Sequence, residues 1–160
     1  MTSRIFVALL ATALVGCQSV SELSGLGAEA KTRIGQLRYA TGSQRSVVGD
    51  IVLRSLAAGD YDLSFSKSGV SVLQLQTRGA NVTATGLLAG GGWSGLADRA
   101  PGPLRPWAML KEVLVYFDSN VPSAQKPGRW SANYQRKNGN LLRADIPFSH
   151  NRSMAFSFGQ

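Results

Sequence analysis

The chain has 160 residues, 44% of them apolar and 16% charged, with 17 Lys and Arg against 9 Asp and Glu, one histidine and one cysteine. That length suits one domain, the formal charge of +8 suits contact with acidic surfaces, and one histidine with one cysteine excludes the usual metal-ligand sets. The basic residues Arg33, Arg38, Arg45, Arg54, Lys67, Arg78, Arg99 and Arg105 are scattered, with a local pair at Arg136-Lys137. No block of like charge marks a binding tail, so a solvated basic surface and a specific electrostatic site stay equally open.

Residues 1–16 have the pattern of an export signal. Arg4 precedes an apolar run, Ile5 to Val15, that ends in small residues. The run is too short to cross a hydrocarbon core, which needs about 20 helical residues. Leu14-Val15-Gly16-Cys17 resembles the lipobox of bacterial lipoproteins. That resemblance implies diacylation of the Cys17 thiol, cleavage after Gly16 and acylation of the new amino terminus. The alternative, an ordinary signal cut elsewhere with Cys17 as a buried small hydrophobe, leaves an odd cysteine in an oxidising compartment. Several acyl chains at about 0.8 kcal/mol per buried methylene hold a protein stably, where one chain gives marginal binding. Gln18, not Asp, follows the cysteine. By the sorting rule the resemblance implies, the protein sits at the outer membrane, lipid-anchored on the periplasmic face, with membrane lipid as its first partner. Arg4 leaves with the signal, so 144 of the 160 residues remain with a net charge of about +7. The acidic surfaces near such a protein are lipid headgroups, lipopolysaccharide and cell-wall acids, and nucleic acid is not expected as a partner.

Residues 17–32 are rich in Ser, Gly and Ala without a sustained apolar face, a flexible tether leading from lipidated Cys17 to a domain at residues 33–160. From Ile34 onward the pattern is antiparallel β. A weak strand spans Ile34 to Tyr39. In the next, Val47, Gly49, Ile51 and Leu53 alternate with Val48, Asp50, Val52 and Arg54. Ala58-Gly59-Asp60 turns into the clearest strand, Tyr61 to Lys67, where Tyr61, Leu63 and Phe65 share a buried face and Asp62, Ser64 and Ser66 a wet one. Ser68-Gly69 leads to Val70–Thr77, and Arg78-Gly79-Ala80-Asn81 to Val82–Gly86, completing a meander. Residues 89–103, with their glycines and prolines, are expected to be irregular. Over residues 104–117 the period changes: Trp107, Leu110, Leu114 and Phe117 fall on one helical face, with Pro106 tolerated in the first turn. The pair Val113 and Val115 keeps a strand open for the second half. After a loop over 118–128, alternation resumes at Trp130, Ala132 and Tyr134. The Asn138-Gly139 hairpin signal follows, then Leu141–Phe148 and Ser153–Gly159, with Met154, Phe156 and Phe158 on one face.

The fold class is therefore α+β, mainly antiparallel: one curved sheet, or half-barrel, of about eight strands covered by one helix and a Gly-rich loop. A helix of 14 residues is about 21 Å long and about 10 Å wide, whereas eight strands at about 4.8 Å spacing span nearly 40 Å. Such a lid leaves an apolar hollow unless the sheet curls strongly. Its lining is expected from Leu53, Tyr61, Leu63, Phe65, Leu73, Leu75, Trp130, Tyr134, Phe156 and Phe158, with Trp107 and Leu110 from the helix. The competing expectation is a dry core made of these same residues.

The stretch YDLSFSKSGVSVLQLQTRGANVTATG, Tyr61 to Gly86, resembles the central hairpins of the LolB family of outer-membrane lipoprotein receptors. GRWSANYQRKNGNLLRADIPFSHNRSMAFSF, Gly128 to Phe158, resembles its last three strands. Lipobox, meander, helical insertion and final hairpin come in the family's order. The resemblance implies a half-barrel whose apolar concave face, covered by helices, holds lipoprotein acyl chains, with a periplasmic lipoprotein carrier as partner. The family's membrane-inserting turn carries a protruding leucine; here Ser66-Lys67-Ser68-Gly69-Val70 offers only Val70.

No catalytic residues are expected. His150 sits in a turn without a G-x-S-x-G serine, Gly90-Gly91-Gly92 does not follow a strand and open a helix, and Asp60 and Asp62 belong to a turn and a wet face. Neither cofactor nor metal is expected. Two functions compete: an outer-membrane lipoprotein that binds acyl chains or lipoproteins in its hollow, acting in lipoprotein localisation or insertion as a monomer, and a non-enzymatic anchored interaction module of an envelope assembly complex with a filled core. A weaker third is binding of cell-wall or lipopolysaccharide acids by the basic surface. A pocket of several hundred Å3 between sheet and helix favours the first; close packing favours the second.

Overall fold

The computed structural model describes residues 25–42 and 45–159. The export signal, the lipobox with Cys17 and the first part of the tether lie outside the described residues. The strands are β1 (Lys31–Thr41), β2 (Arg45–Ser55), β3 (Tyr61–Lys67), β4 (Val70–Arg78), β5 (Asn81–Gly86) and β6 (Gly91–Leu96) before helix α1 (Arg105–Leu114), then β7 (Ser123–Lys126), β8 (Trp130–Lys137), β9 (Asn140–Phe148) and β10 (Arg152–Phe158). They form one open sheet of 10 strands in the order β6-β5-β4-β3-β2-β1-β10-β9-β8-β7. Every pairing is antiparallel.

The first and last strands meet in the middle of this sheet, with Leu37 opposite Phe156. The chain thus winds outward to one edge at β6, crosses the sheet through α1, and winds back from the other edge at β7. Period-two alternation fixes which face the helix meets. Leu37 and Tyr39 of β1, Ile51 and Leu53 of β2, and Tyr61, Leu63 and Phe65 of β3 point inward and are buried. Two-residue turns join β3 to β4 and β8 to β9: Ser68-Gly69 and Asn138-Gly139 both have positive φ at both positions, the geometry that matches the twist of flanking strands.

The sheet therefore has two strands more than the sequence pattern indicates. β6 lies inside the stretch expected to be irregular. It pairs with β5 from Gly86↔Gly91 to Asn81↔Leu96, and its inward side chain, Trp93, stands opposite Ala84. β7 forms in the loop between Pro122 and Pro127. α1 ends at Leu114, short of Phe117, and continues as turns; no strand forms over Val113–Val115. The ordered body also begins early. β1 starts at Lys31, and Leu26, within the stretch read as tether, is buried.

Asp62 departs from the wet position expected for it, being wholly buried on the outer side of β3. Its neighbours explain this. Residues Gly25–Gly27 lie over this end of the outer face, with Gly25 against the Arg78 guanidinium and Arg54 donating to the Gly27 carbonyl at 3.0 Å. Arg78 Nη2 stands 2.7 Å from the Asp62 carboxylate.

Candidate functional site: the apolar sheet face and the helix that covers it

The helix sits on the sheet through Trp107, Leu110, Val113 and Leu114, and through Phe117 just beyond its end. The twelve residues expected to line a hollow come together on this one inner surface. Leu53, Tyr61, Leu63, Phe65, Leu73, Leu75, Trp107, Leu110 and Phe156 expose 0% of their surface, Trp130 and Tyr134 are buried, and Phe158 at the end of β10 is half-buried. Zero exposure means that no void large enough for a water molecule touches those nine side chains. The face is close-packed. Residues outside the expected set do much of the filling: Leu37, Tyr39, Ile51, Leu104, Val113 and Met154 join the same core. Aromatic rings carry the centre of the contact, with Trp107 4.9 Å from Tyr39 and 5.8 Å from Phe65, and Phe117 edge-on to Phe156 at 5.8 Å.

Polar contacts pin the helix and its flanks. In its first turn the Tyr61 hydroxyl, fully buried, donates to the Trp107 carbonyl; burial pushes the Tyr61 pKa up. Lys111 Nζ reaches Asp60 at 2.6 Å and the Gly79 carbonyl at 2.7 Å. Glu112 accepts from Trp130 Nε1 at 3.0 Å and pairs with Lys126 and Arg129 at 3.0 and 2.8 Å. Beyond the helix, Asp118 is held by Lys31 and by buried Arg33, both at 2.6 Å, and Arg33 lies over the Phe117 ring. Arg136 donates to the carbonyls of Tyr116 and Val121, and Arg152 to that of Gly102 ahead of the helix. Partial burial alone would raise the pKa of Asp60, Glu112 and Asp118. Their cationic and hydrogen-bonding partners outweigh it, so all three carboxyls sit below their ordinary values.

The Tyr39 hydroxyl and the Trp107 indole Nε1 are both buried and partner each other in a loosely aligned hydrogen bond. Burial pushes the Tyr39 pKa up, with the charge of Arg152 and the hydrogen bond from Trp107 pulling the other way.

On the far side of α1, a shallow hollow of about 320 Å3 opens to solvent between the end of β6 and the helix. Leu96, Ala97 and Asp98 form one wall, Ala108, Met109 and Glu112 the other, with Ala80 and Arg129 at its ends. His150 is exposed in its turn. Among the described residues, no group of three or more His, Cys, Asp or Glu could hold a metal ion, and no helix is long and apolar enough to cross a membrane.

No protein-family model matches the chain, and no curated protein sequence matches it. A solved structure described under "Mutations in SsgB correlate to longitudinal cell division during sporulation of Streptomyces coelicolor" is similar over 81% of this chain and 79% of that one, at 12% identity and a TM-score of 0.33.

Proposed function

We propose that this chain is a non-enzymatic outer-membrane lipoprotein, held on the periplasmic face through acylated Cys17, whose sheet receives acyl chains on its apolar inner face in exchange for α1. The half-barrel curvature implied by the LolB resemblance, and a periplasmic lipoprotein carrier as donor, belong to the same proposal. Its main support is the gathering of the twelve expected residues on one apolar face that a single helix of ten residues covers. The ion pairs that hold α1 lie at the rim and are partly exposed, where each is worth about 0–1 kcal/mol. Pro101-Gly102-Pro103 leads into the helix as a turn, with Leu104 N donating to Pro101 O at 2.8 Å.

The experiment uses the mature chain from residue 17, made with Cys17→Ala so that it stays unlipidated, and titrates it with the fluorescent fatty acid cis-parinaric acid. Saturable binding that is lost in Phe156→Glu, with the chain still folded by circular dichroism, is the expected result. Absence of saturable binding by the unsubstituted chain refutes the reading.

A second reading, an anchored interaction module with a filled core, draws on the close packing of the inner face. It expects no probe binding, and a protein partner that is lost on changing surface residues such as Arg136 and Lys137.

A further inference from the structure

The two edges of the sheet are built differently. β7 is four residues long, flanked by Pro122 and Pro127 and carries Lys126, all devices that discourage another strand from pairing. β6, GGWSGL, has six residues with no charge and no proline, and three glycines that let another backbone come close.

Register shows which groups β6 offers. Ala97 N donates to Ala80 O at 2.9 Å, one step beyond the Asn81↔Leu96 pair. Hydrogen-bonded and non-bonded pairs alternate in an antiparallel ladder. The pairs Val82↔Gly95, Ala84↔Trp93 and Gly86↔Gly91 are then the bonded ones, so Gly92, Ser94 and Leu96 turn their N–H and C=O groups toward the free edge. No backbone bond among the described residues uses those groups.

The open hollow begins where this edge ends, with Leu96 as a shared residue. The apolar part of its lining comes from Leu96, Ala97, Ala108 and Met109. Of the charges around it, Glu112 and Arg129 are paired with each other, whereas Asp98 makes no ion pair with any described residue, in a chain that is otherwise strongly basic.

We infer that β6 is a docking edge for an extended segment of a partner protein, which adds as a further strand, seats an apolar side chain in the hollow beside Leu96 and Met109, and brings a basic side chain to Asp98. Main-chain bonds to Gly92, Ser94 and Leu96 supply the affinity and the hollow supplies the selectivity, as in other strand-addition sites. The inference deepens the interaction-module reading and does not require α1 to move.

The test titrates the mature Cys17→Ala chain into a fluorescein-labelled six-residue peptide of alternating lysine and valine and follows anisotropy. Ser94→Pro removes an N–H that the β5 ladder does not use, so the fold is retained while the edge is blocked. It is expected to weaken binding at least about tenfold, the loss of one to two net hydrogen bonds. Ser94→Ala should bind within about twofold of the parent. Met109→Glu and a glutamate-valine peptide should each bind more weakly. A peptide N-methylated at alternate residues provides the same test without altering the protein. Equal binding by the N-methylated peptide, unchanged binding by a folded Ser94→Pro chain, or no binding at all overturns the inference. So does a concentration-dependent dimer abolished by Ser94→Pro, which makes the occupant a second copy. Fatty-acid binding is read separately, so failure of this site is distinguishable from failure of either functional reading.

Discussion

Replacing Tyr61 by phenylalanine separates the exchange of α1 for an acyl chain from a permanently filled core. The side chain is fully buried and its hydroxyl donates to the Trp107 carbonyl. Phenylalanine preserves the ring, and the carbonyl keeps its place in the helical ladder, so neither a cavity nor an orphaned acceptor results. The net loss is that of one buried hydrogen bond, about 1 kcal/mol. For a chain of this size that lowers the melting temperature by about 2–4 °C. If an acyl chain must displace α1, the same loss favours the open form and tightens binding by the corresponding factor, about fivefold. Urea unfolding and a cis-parinaric acid titration on the Cys17→Ala mature chain read the two quantities on one sample. A destabilised Tyr61→Phe protein with unchanged or weaker probe affinity would show that the ligand does not compete with α1.

Acid should loosen the rim of the same helix. Asp60, Glu112 and Asp118 have folded pKa values below their ordinary ones. The stability they contribute is full above the unfolded values near pH 4 and is lost as pH falls through the folded ones. Urea midpoints should stay level from about pH 7 to about pH 5 and then fall below about pH 4, less steeply in Lys111→Met, where Asp60 has lost its partner; identical acid slopes refute the assignment. Gly49→Ala should destabilise by about 1–3 kcal/mol, because a Cβ there would stand 2.1 Å from the Ser66 carbonyl oxygen and 3.0 Å from the Phe65 ring. A calorimetric melting temperature within error of the parent would refute that packing.

The inner face was legible because side-chain alternation has a fixed period: once Tyr61, Leu63 and Phe65 share a side, only a slip of register could move them. The same signal fails where side chains are missing. In β6 three of six residues are glycine, so only Trp93 and Leu96 carry any pattern. The flanking prolines likewise made β7 look like a loop. Contacts distant in sequence left no local trace: Arg33 and Asp118 are 85 positions apart. Asp62 was misplaced because alternation says which face a residue lies on, not what covers it, and Gly25–Gly27 returns over the outer face. Whether the face encloses a hollow is a question of volume. Comparing the length and width of a helix with the span of a sheet underestimates a lid that brings Leu104 and Val113 as well as Trp107, Leu110, Leu114 and Phe117.

That filled volume decides what lipid binding demands. Uncovering Trp107, Leu110, Val113, Leu114 and Phe117 gives up roughly 2 kcal/mol of burial each, on the order of 10 kcal/mol in all. A saturated chain of about sixteen carbons recovers about 0.8 kcal/mol per methylene, about 12 kcal/mol when fully enclosed. The exchange is nearly balanced, so small terms at the helix set its direction, and the Tyr61 bond and rim ion pairs oppose opening. A shorter fatty acid falls below the balance point, and about four fewer methylenes remove about 3 kcal/mol, a loss of over a hundredfold in affinity. A chain-length series therefore tests whether the methylenes are enclosed, and the shift in affinity on Tyr61→Phe tests whether α1 must open. The β6 edge lies outside this balance, because strand addition there leaves the inner face closed.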